Sequence, residues 1–335
     1  MSNKIYEGGY FNEYQKMRYV NSLPDTSSLQ ARRILSRAKS LEETYGQDLY
    51  NFTLDQIENL LHYLNPSTLN ASRSNFYLVQ NYIRWGIEQD LRDTNINPLD
   101  VLAENNFFKK FIDTSKKALY TKDEIDSMIS VCVNAQDVFP IIAIFEGVFG
   151  KSGYDELLNL KRQSIMSENL ISLTDGEHER VINVSSDFMN LMYKALDQKT
   201  YIKKNGILKP TMRSSAEANL EQSDYVLRNV ITRSQTNGKA DKFLIQRRIA
   251  AVKSYNDDWV RVLTPYIIRN SGMLYMAKNF YEKHGEINKH HYEEISEKFG
   301  ISKVMNNGYE VYNYHRLKED FLNVETIIKV YGQGQ

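Results

Sequence analysis

The sequence predicts a mainly α protein of two domains with one small β element, and three observations carry that expectation. Apolar side chains recur at helical spacing along most of the chain. Gly and Pro are sparse, 16 and 6 among 335 residues, so few positions break a helix. At roughly 150 residues per domain the length suits two separate cores. The single cysteine, Cys132, excludes a disulfide framework and a cysteine-rich zinc site, which suits an intracellular, cytoplasmic protein. The most apolar stretch, Val138 to Phe149, holds Pro140 and Glu146 and is too short to span a bilayer. No apolar signal core opens the chain, so no membrane partner is expected.

Residues 1–27 read as an N-terminal extension. A helix over 28–46 follows the starters Thr26, Ser27 and Ser28 and stops near Gly46. The segment 53–64 places Ile57, Leu60, Leu61 and Leu64 on one helical face, with Thr53 as N-cap and Pro66 beyond its end. In 72–91 an apolar stripe of Phe76, Val79, Ile83, Trp85 and Ile87 predicts a further helix. The stretch 93–120 contains Pro98 and has no strong period, so it reads as a connector. A helical domain is therefore expected over 28–110 and a second domain over 111–335.

In the second domain, Thr121-Lys-Asp-Glu124 has the form of a capping box, in which a hydroxyl and a carboxylate three residues on satisfy each other's free amides. It opens a helix to about Val133. A buried helix over 138–149 and a short one over 154–160 follow. The runs from Ile165 and from Arg180 are β-prone and flank Asp175-Gly176, which predicts a hairpin, the one convincing hairpin in the chain. Helices are expected again at 186–196, 214–231, 239–255, 265–283, 290–299 and 317–330. No period of 20–50 residues recurs.

The net charge of zero hides a local surplus. Residues 205–280 carry 12 basic and 6 acidic side chains, while the first 110 residues carry 12 and 13. The basic set comprises Lys209, Arg213, Arg228, Arg233, Lys239, Lys242, Arg247, Arg248, Lys253, Arg261, Arg269 and Lys278. A phosphate-binding face needs such a surplus, although a solvated helical surface shows it as well.

Generic sites are missing. His290 and His291 are adjacent and so diverge on a helix, without an HExxH pattern, and no metal or other cofactor is expected. There is no P-loop, no GxGxxG after a strand and no GxSxG. Cys132 lies between Val131 and Val133 in a predicted helix, as a core residue does.

The order of these segments resembles the tyrosine recombinase (phage integrase) family over roughly residues 40–320. GKSGYDELLNL (Gly150 to Leu160) is similar to the family's TGLR-x-x-E-L-x-x-L at Glu156, Leu157 and Leu160. GEHERVINVS (Gly176 to Ser185) is similar to G-K-x-R-x-V-P-L-S, and LTPYIIRNS from Leu263 resembles T-P-H-x-L-R-H-T. FGISKV from Phe299 resembles L-G-H-S-x-I. The resemblance implies a helical SAM-like core-binding domain joined to a mostly helical catalytic-type domain with a small sheet, closed around duplex DNA.

The same resemblance implies chemistry that the residues do not support. Members of the family attack a phosphodiester with a tyrosine while two arginines, a hairpin lysine and two histidine-type groups stabilise the phosphorane and leaving oxygen. At the corresponding motif positions, including the histidine that follows the second arginine, stand Gly153, Thr174 or Asp175, Tyr266, Asn270 and Ile301, and Arg269 alone remains. Tyr309 and Tyr312 fall near the nucleophile's place, in a chain with 23 tyrosines. Each absent donor costs on the order of 10²–10³ in rate. The expectation is a non-enzyme that binds a double-stranded DNA operator, as a phage transcriptional repressor maintaining lysogeny does, with a regulatory protein or peptide as further partner. The alternatives are a divergent active recombinase, in which Lys151 or Arg180 replaces a lost group, and a helical protein-interaction adaptor.

DNA contacts are expected from Arg32, Arg33 and Arg37 on the first long helix, and from Arg73, Asn75, Tyr77 and Arg84 on the third. Arg247, Arg248, Lys253 and Arg269 are expected to grip the backbone from the basic block. Operator sequence and oligomeric state are not legible.

Overall fold

A computed structural model describes residues 9–113, 119–150, 154–207, 215–231 and 238–332. The chain forms two compact units, Met1–Lys116 and Lys117–Gln335.

The first unit contains α1 (Glu13–Asn21), α2 (Asp25–Tyr45), α3 (Leu54–Leu64), α4 (Leu69–Glu88) and α5 (Asn105–Lys109). Thr53 and Gln56 close a capping box that starts α3, and Thr68 caps α4 by accepting from Ala71 N–H. Ile57, Leu60, Leu61 and Leu64 are buried, as their spacing predicts. Two expectations are corrected. The described part of the segment 1–27, from residue 9 on, is not a separate extension, because Tyr19 and Val20 of α1 enter the core and Lys16 is fully buried. The connector 93–120 is in part core, since Leu99, Phe107, Phe108 and Phe111 pack into the same cluster. Gly86 lets α4 meet Tyr50: a Cβ there would come within 2.6 Å of the Tyr50 Cβ.

The second unit is built around α7 (Ala135–Phe145), whose every residue from Gln136 onward is buried. Before it runs α6 (Lys122–Ser130), opened by the Thr121–Glu124 capping box. After it come α8 (Asp155–Asn159) and an antiparallel sheet in the order β1 (Ile165–Ser167), β2 (Leu170–Asp175), β3 (His178–Asn183). The turn after Asp175 pairs Asp175 with His178, as expected, and Gly176 takes φ +62°. Next are α9 (Ser186–Asp197), β4 (Thr200–Ile202), β5 (Glu217–Asn219), α10 (Lys242–Tyr255), α11 (Pro265–His284) and α12 (Lys289–Lys298). The chain ends in β6 (Lys303–Asn306), β7 (Tyr309–Tyr312), α13 (His315–Asp320) and α14 (Val324–Tyr331). Helices α9, α10 and α11 pack on α7. Gly272 of α11 crosses so close to α7 that a Cβ would lie 1.9 Å from the Phe145 carbonyl oxygen.

Three further expectations fail. The described part of 214–231 is not a helix: β5 pairs with β4, and Leu220 bridges Val230. A second hairpin, β6–β7, turns at Asn307 and Gly308, both with positive φ. The final helix is two, since Asn323 accepts from Thr326 N–H and starts α14 anew. Among the described residues, no helix is long and apolar enough to cross a membrane and no cluster of metal-ligating side chains occurs.

Candidate nucleic-acid interface

A charged side chain meets a phosphate most readily when the fold leaves it uncommitted. On α2, Arg32 is half-buried and Arg33 exposed, and neither makes a hydrogen bond or ion pair among the described residues. Arg37 is committed: it donates to the carbonyls of Tyr63 (2.6 Å) and Leu64 (2.8 Å) at the C-terminal end of α3. Burial and the nearby Arg33 lower its pKa. The expectation that Arg37 contacts DNA gives way to a capping role.

On α4, Arg73 donates to Asn105 Oδ1 at 2.8 Å and lies over the Phe108 ring at 5.8 Å, while Arg84 pairs with Asp100 at 2.8 Å. Asn75 is half-buried and Tyr77 exposed, and neither side chain has a hydrogen-bond partner among the described residues. Ser74 Oγ reaches Gln30 Oε1 at 3.4 Å, which brings the Gln30–Arg33 ridge of α2 beside the first turns of α4. Arg33, Asn75 and Tyr77 are thus the available members of the first unit's expected set, with Arg32 beside them.

In the second unit the basic block is mostly spent on structure. Lys209, Arg213 and Arg233 lie outside the described residues. Arg228 is buried and donates to the carbonyls of Ala195, Leu196 and Gln198, closing the end of α9. Arg248, only 5% exposed, pairs with Asp137 at 3.1 Å and stacks on Tyr201 at 3.9 Å, so it is a core residue and not a phosphate contact. Lys239 pairs with Asp155, Lys253 with Asp257 and Lys278 with Glu282. Lys242, Arg247 and Arg261 stay exposed without ion pair or hydrogen bond among the described residues. Lys242 and Arg261 were not among the expected contacts, because composition counts charges and not their commitments.

Of the positions that the family resemblance assigns to chemistry, Asp175, Ile301 and Arg269 lie together and Tyr266 meets the Phe149 ring that Arg269 covers, while Gly153 lies outside the described residues. Asp175, Ile301 and Tyr312 line one cavity of about 400 Å³ with Glu156 and Arg180. Arg269, half-buried, donates to the Phe299 carbonyl beside this cavity and stacks on Phe149 at 4.8 Å. Desolvation and the neighbouring Arg180 bring its pKa down to about 10, which leaves it charged at neutral pH. Its buried Nε has no hydrogen-bond partner among the described residues. Arg180 is saturated: Nε and Nη2 bind Glu156 (2.5 and 2.7 Å), Nη1 binds the carbonyls of Glu297 (3.1 Å) and Lys298 (2.7 Å), and Nη2 also binds that of Gly147 (2.8 Å). The charged part of the remaining lining is mainly acidic, with Glu179, Glu297 and Glu310 joining Asp175, against His178 and the one further cation Lys303, which lies over the Tyr312 ring at 5.0 Å. Tyr309 is 76% exposed and sits with Tyr312 on β7. Burial pushes the Cys132 thiol up to about 12, as suits a residue packed against the core.

Comparison with known proteins follows this division into two units. Residues 10–88 match the family described as MrpR, N-terminal core-binding domain, and residues 119–332 match MrpR, C-terminal catalytic domain. The SPbeta prophage-derived uncharacterized protein YopR of Bacillus subtilis (strain 168) is 29% identical over 328 residues, covering 96% of this chain and 97% of that protein. Among solved structures, the Tn1549 transposon integrase in complex with circular intermediate DNA is 12% identical with a TM-score of 0.45, over 87% of this chain and 92% of that one. The lambda integrase dimer bound to a COC' core site is 11% identical with a TM-score of 0.41, over 86% and 88%. With both units matched in order and across most of its length, the chain belongs to the MrpR family, a core-binding domain followed by a catalytic-type domain in a tyrosine-recombinase-like fold.

Proposed function

We propose that this protein binds duplex DNA sequence-specifically without strand transfer, and that it serves as a phage transcriptional repressor maintaining lysogeny. The excess of carboxylates over cations in the cavity at Asp175 and Ile301, together with the full commitment of Arg180, carries this reading. A phosphorane develops negative charge that must be met by oriented donors. Here Asp175, Glu179, Glu297 and Glu310 face that space against the single further lysine Lys303, and the five N–H groups of Arg180 are taken by Glu156 and three carbonyls. Arg180 therefore offers no replacement for a missing arginine, and Lys151 lies outside the described residues. A prophage-derived relative that covers nearly the whole chain supports the phage setting. The uncommitted Arg32, Arg33, Asn75 and Tyr77 of the first unit, and Lys242, Arg247 and Arg261 of the second, supply the DNA contacts.

The test pairs a gel shift on phage genomic fragments with a search for a covalent adduct on nicked duplexes. The expected outcome is saturable retention of particular fragments with no adduct, unchanged in Tyr309→Phe and Tyr312→Phe. An adduct that either Phe variant abolishes establishes a divergent recombinase instead, and the absence of both retention and adduct favours the adaptor reading.

A further inference from the structure

The strand β3 has one open edge. It pairs with β2 alone, and the two-residue turn makes Asp175 and His178 the first partners of the ladder. Backbone groups alternate in direction along a strand, so those of His178, Arg180 and Ile182 address β2. Val184 continues this series, its N–H donating to Asn169 O at 2.9 Å. The N–H and C=O groups of Val181 and Asn183 therefore point to the opposite side, where no backbone hydrogen bond from another segment meets them among the described residues. Uncovered edges are normally protected by an outward lysine or a proline. Val181 is 52% exposed, and the outward-facing positions hold neither residue.

This edge lines a groove of about 570 Å³ whose other residues come from the end of α7, the middle of α11 and the end of α12. Phe145, Met276 and Phe299 give the groove an apolar part. Glu146, Glu294 and Glu297 give it an acidic one, against the single Lys298, which is already paired with Glu146 at 3.1 Å. Glu294 meets His290 at 2.9 Å, and the Glu297 carboxylate has no partner among the described residues.

We propose that the open edge of β3 and the groove beside it bind an extended segment of a partner protein, in which apolar side chains alternate with lysine or arginine. Strand addition supplies main-chain hydrogen bonds from Val181 and Asn183, and the alternation sends every second side chain toward Phe145, Met276 and Phe299. From Val181 to Ser185 the edge spans about 13 Å at roughly 3.3 Å per residue, enough for four or five residues. The carboxylates select a basic segment over an acidic one. The site lies wholly in the second unit and does not depend on whether the protein binds DNA.

The probe is a capped, fluorescent seven-residue peptide of alternating lysine and valine, titrated against the full chain by anisotropy. Saturable binding is expected, weakened at least about tenfold when alternate amides are N-methylated and lost when glutamate replaces lysine. Val181→Pro removes one open N–H at a position where an edge strand tolerates proline, and is expected to weaken binding with an unchanged melting temperature. Glu297→Lys is expected to weaken it without touching the strand. Absence of saturation up to about 1 mM, or equal binding of the N-methylated or acidic peptide, overturns the proposal. Concentration-dependent self-association that Val181→Pro abolishes overturns it too, by assigning the edge to a second copy of the chain.

Discussion

Arg180 of β3 holds Glu156 of α8 in a two-point grip, Nε to Oε1 at 2.5 Å and Nη2 to Oε2 at 2.7 Å. The remaining N–H groups bind the carbonyls of Gly147, Glu297 and Lys298, so one guanidinium joins the sheet, the end of α12 and the loop after α7. A planar fork is needed for such a set, and an ammonium cannot reproduce it. Arg180→Ala is expected to cost about 3–5 kcal/mol, because it leaves the buried Glu156 unpaired, and Arg180→Lys is expected to recover only part of that loss. Denaturant unfolding of the three proteins checks the order; a neutral Arg180→Ala would show that the grip contributes nothing.

Arg247 and Arg248 are adjacent but face opposite environments. Arg247→Ala is expected to leave stability within about 0.5 kcal/mol and to flatten the slope of log K against log salt by about 0.9 on duplex DNA. Arg248→Ala is expected to destabilise by about 3–5 kcal/mol, since Asp137, whose pKa burial already raises against the pull of Arg248, would stand uncompensated. Salt titrations of DNA binding together with thermal melts separate the two. Equal effects of both substitutions on both readouts would contradict the assignment.

That contrast was legible in the sequence. Leu244, Ile245, Ile249 and Val252 are buried, and position 248 falls on the same helical stripe, four after Leu244 and four before Val252. The β6–β7 turn was also visible as Asn307-Gly308, a pair suited to two consecutive positive φ values. The capped helices were readable for a local reason: the Thr53–Gln56 and Thr121–Glu124 boxes satisfy their amides within four residues. What the sequence hid depends on distant partners. The segment 214–231 is rich in helix formers, yet Arg228 turns inward to carbonyls of α9 some thirty residues earlier. Lys16 gives no local sign that it will be buried between carboxylates from two other segments.

Those carboxylates predict a pH dependence. Lys16 binds Glu42 and, at 2.6 Å, Asp48, while the Tyr82 hydroxyl donates to Asp48 at 2.9 Å. One buried cation faces two carboxylates, and desolvation raises the Glu42 pKa from 4.5 to about 7 despite Lys16. The folded state then binds more protons than the unfolded chain between these values, so this group's contribution is fully present below about pH 4.5 and is lost as pH rises toward 7. The loss is on the order of 3 kcal/mol. Glu42→Gln is expected to flatten the pH profile of the unfolding midpoint in that window. A variant profile parallel to that of the parent would place the titration elsewhere.

The first unit offers few free cations, which sets how it can contribute to DNA binding. Arg37 caps α3, Arg73 is held by Asn105 and Arg84 by Asp100. Arg33 and Asn75 remain uncommitted near the point where Gln30 meets Ser74, and an amide is suited to adenine while a guanidinium is suited to guanine. Asn75→Ala and Arg33→Ala are therefore expected to relax discrimination at one or two base pairs, by on the order of 1–3 kcal/mol for a bidentate contact, with unchanged thermal stability. Arg37→Ala, in contrast, is expected to lower the melting temperature by uncapping α3, with any loss of affinity shared equally between cognate and scrambled duplexes. Titrations of the three variants against both duplexes at several salt concentrations decide the matter. If Asn75→Ala and Arg33→Ala weaken both duplexes by the same factor, the first unit grips the backbone and base reading lies elsewhere in the chain.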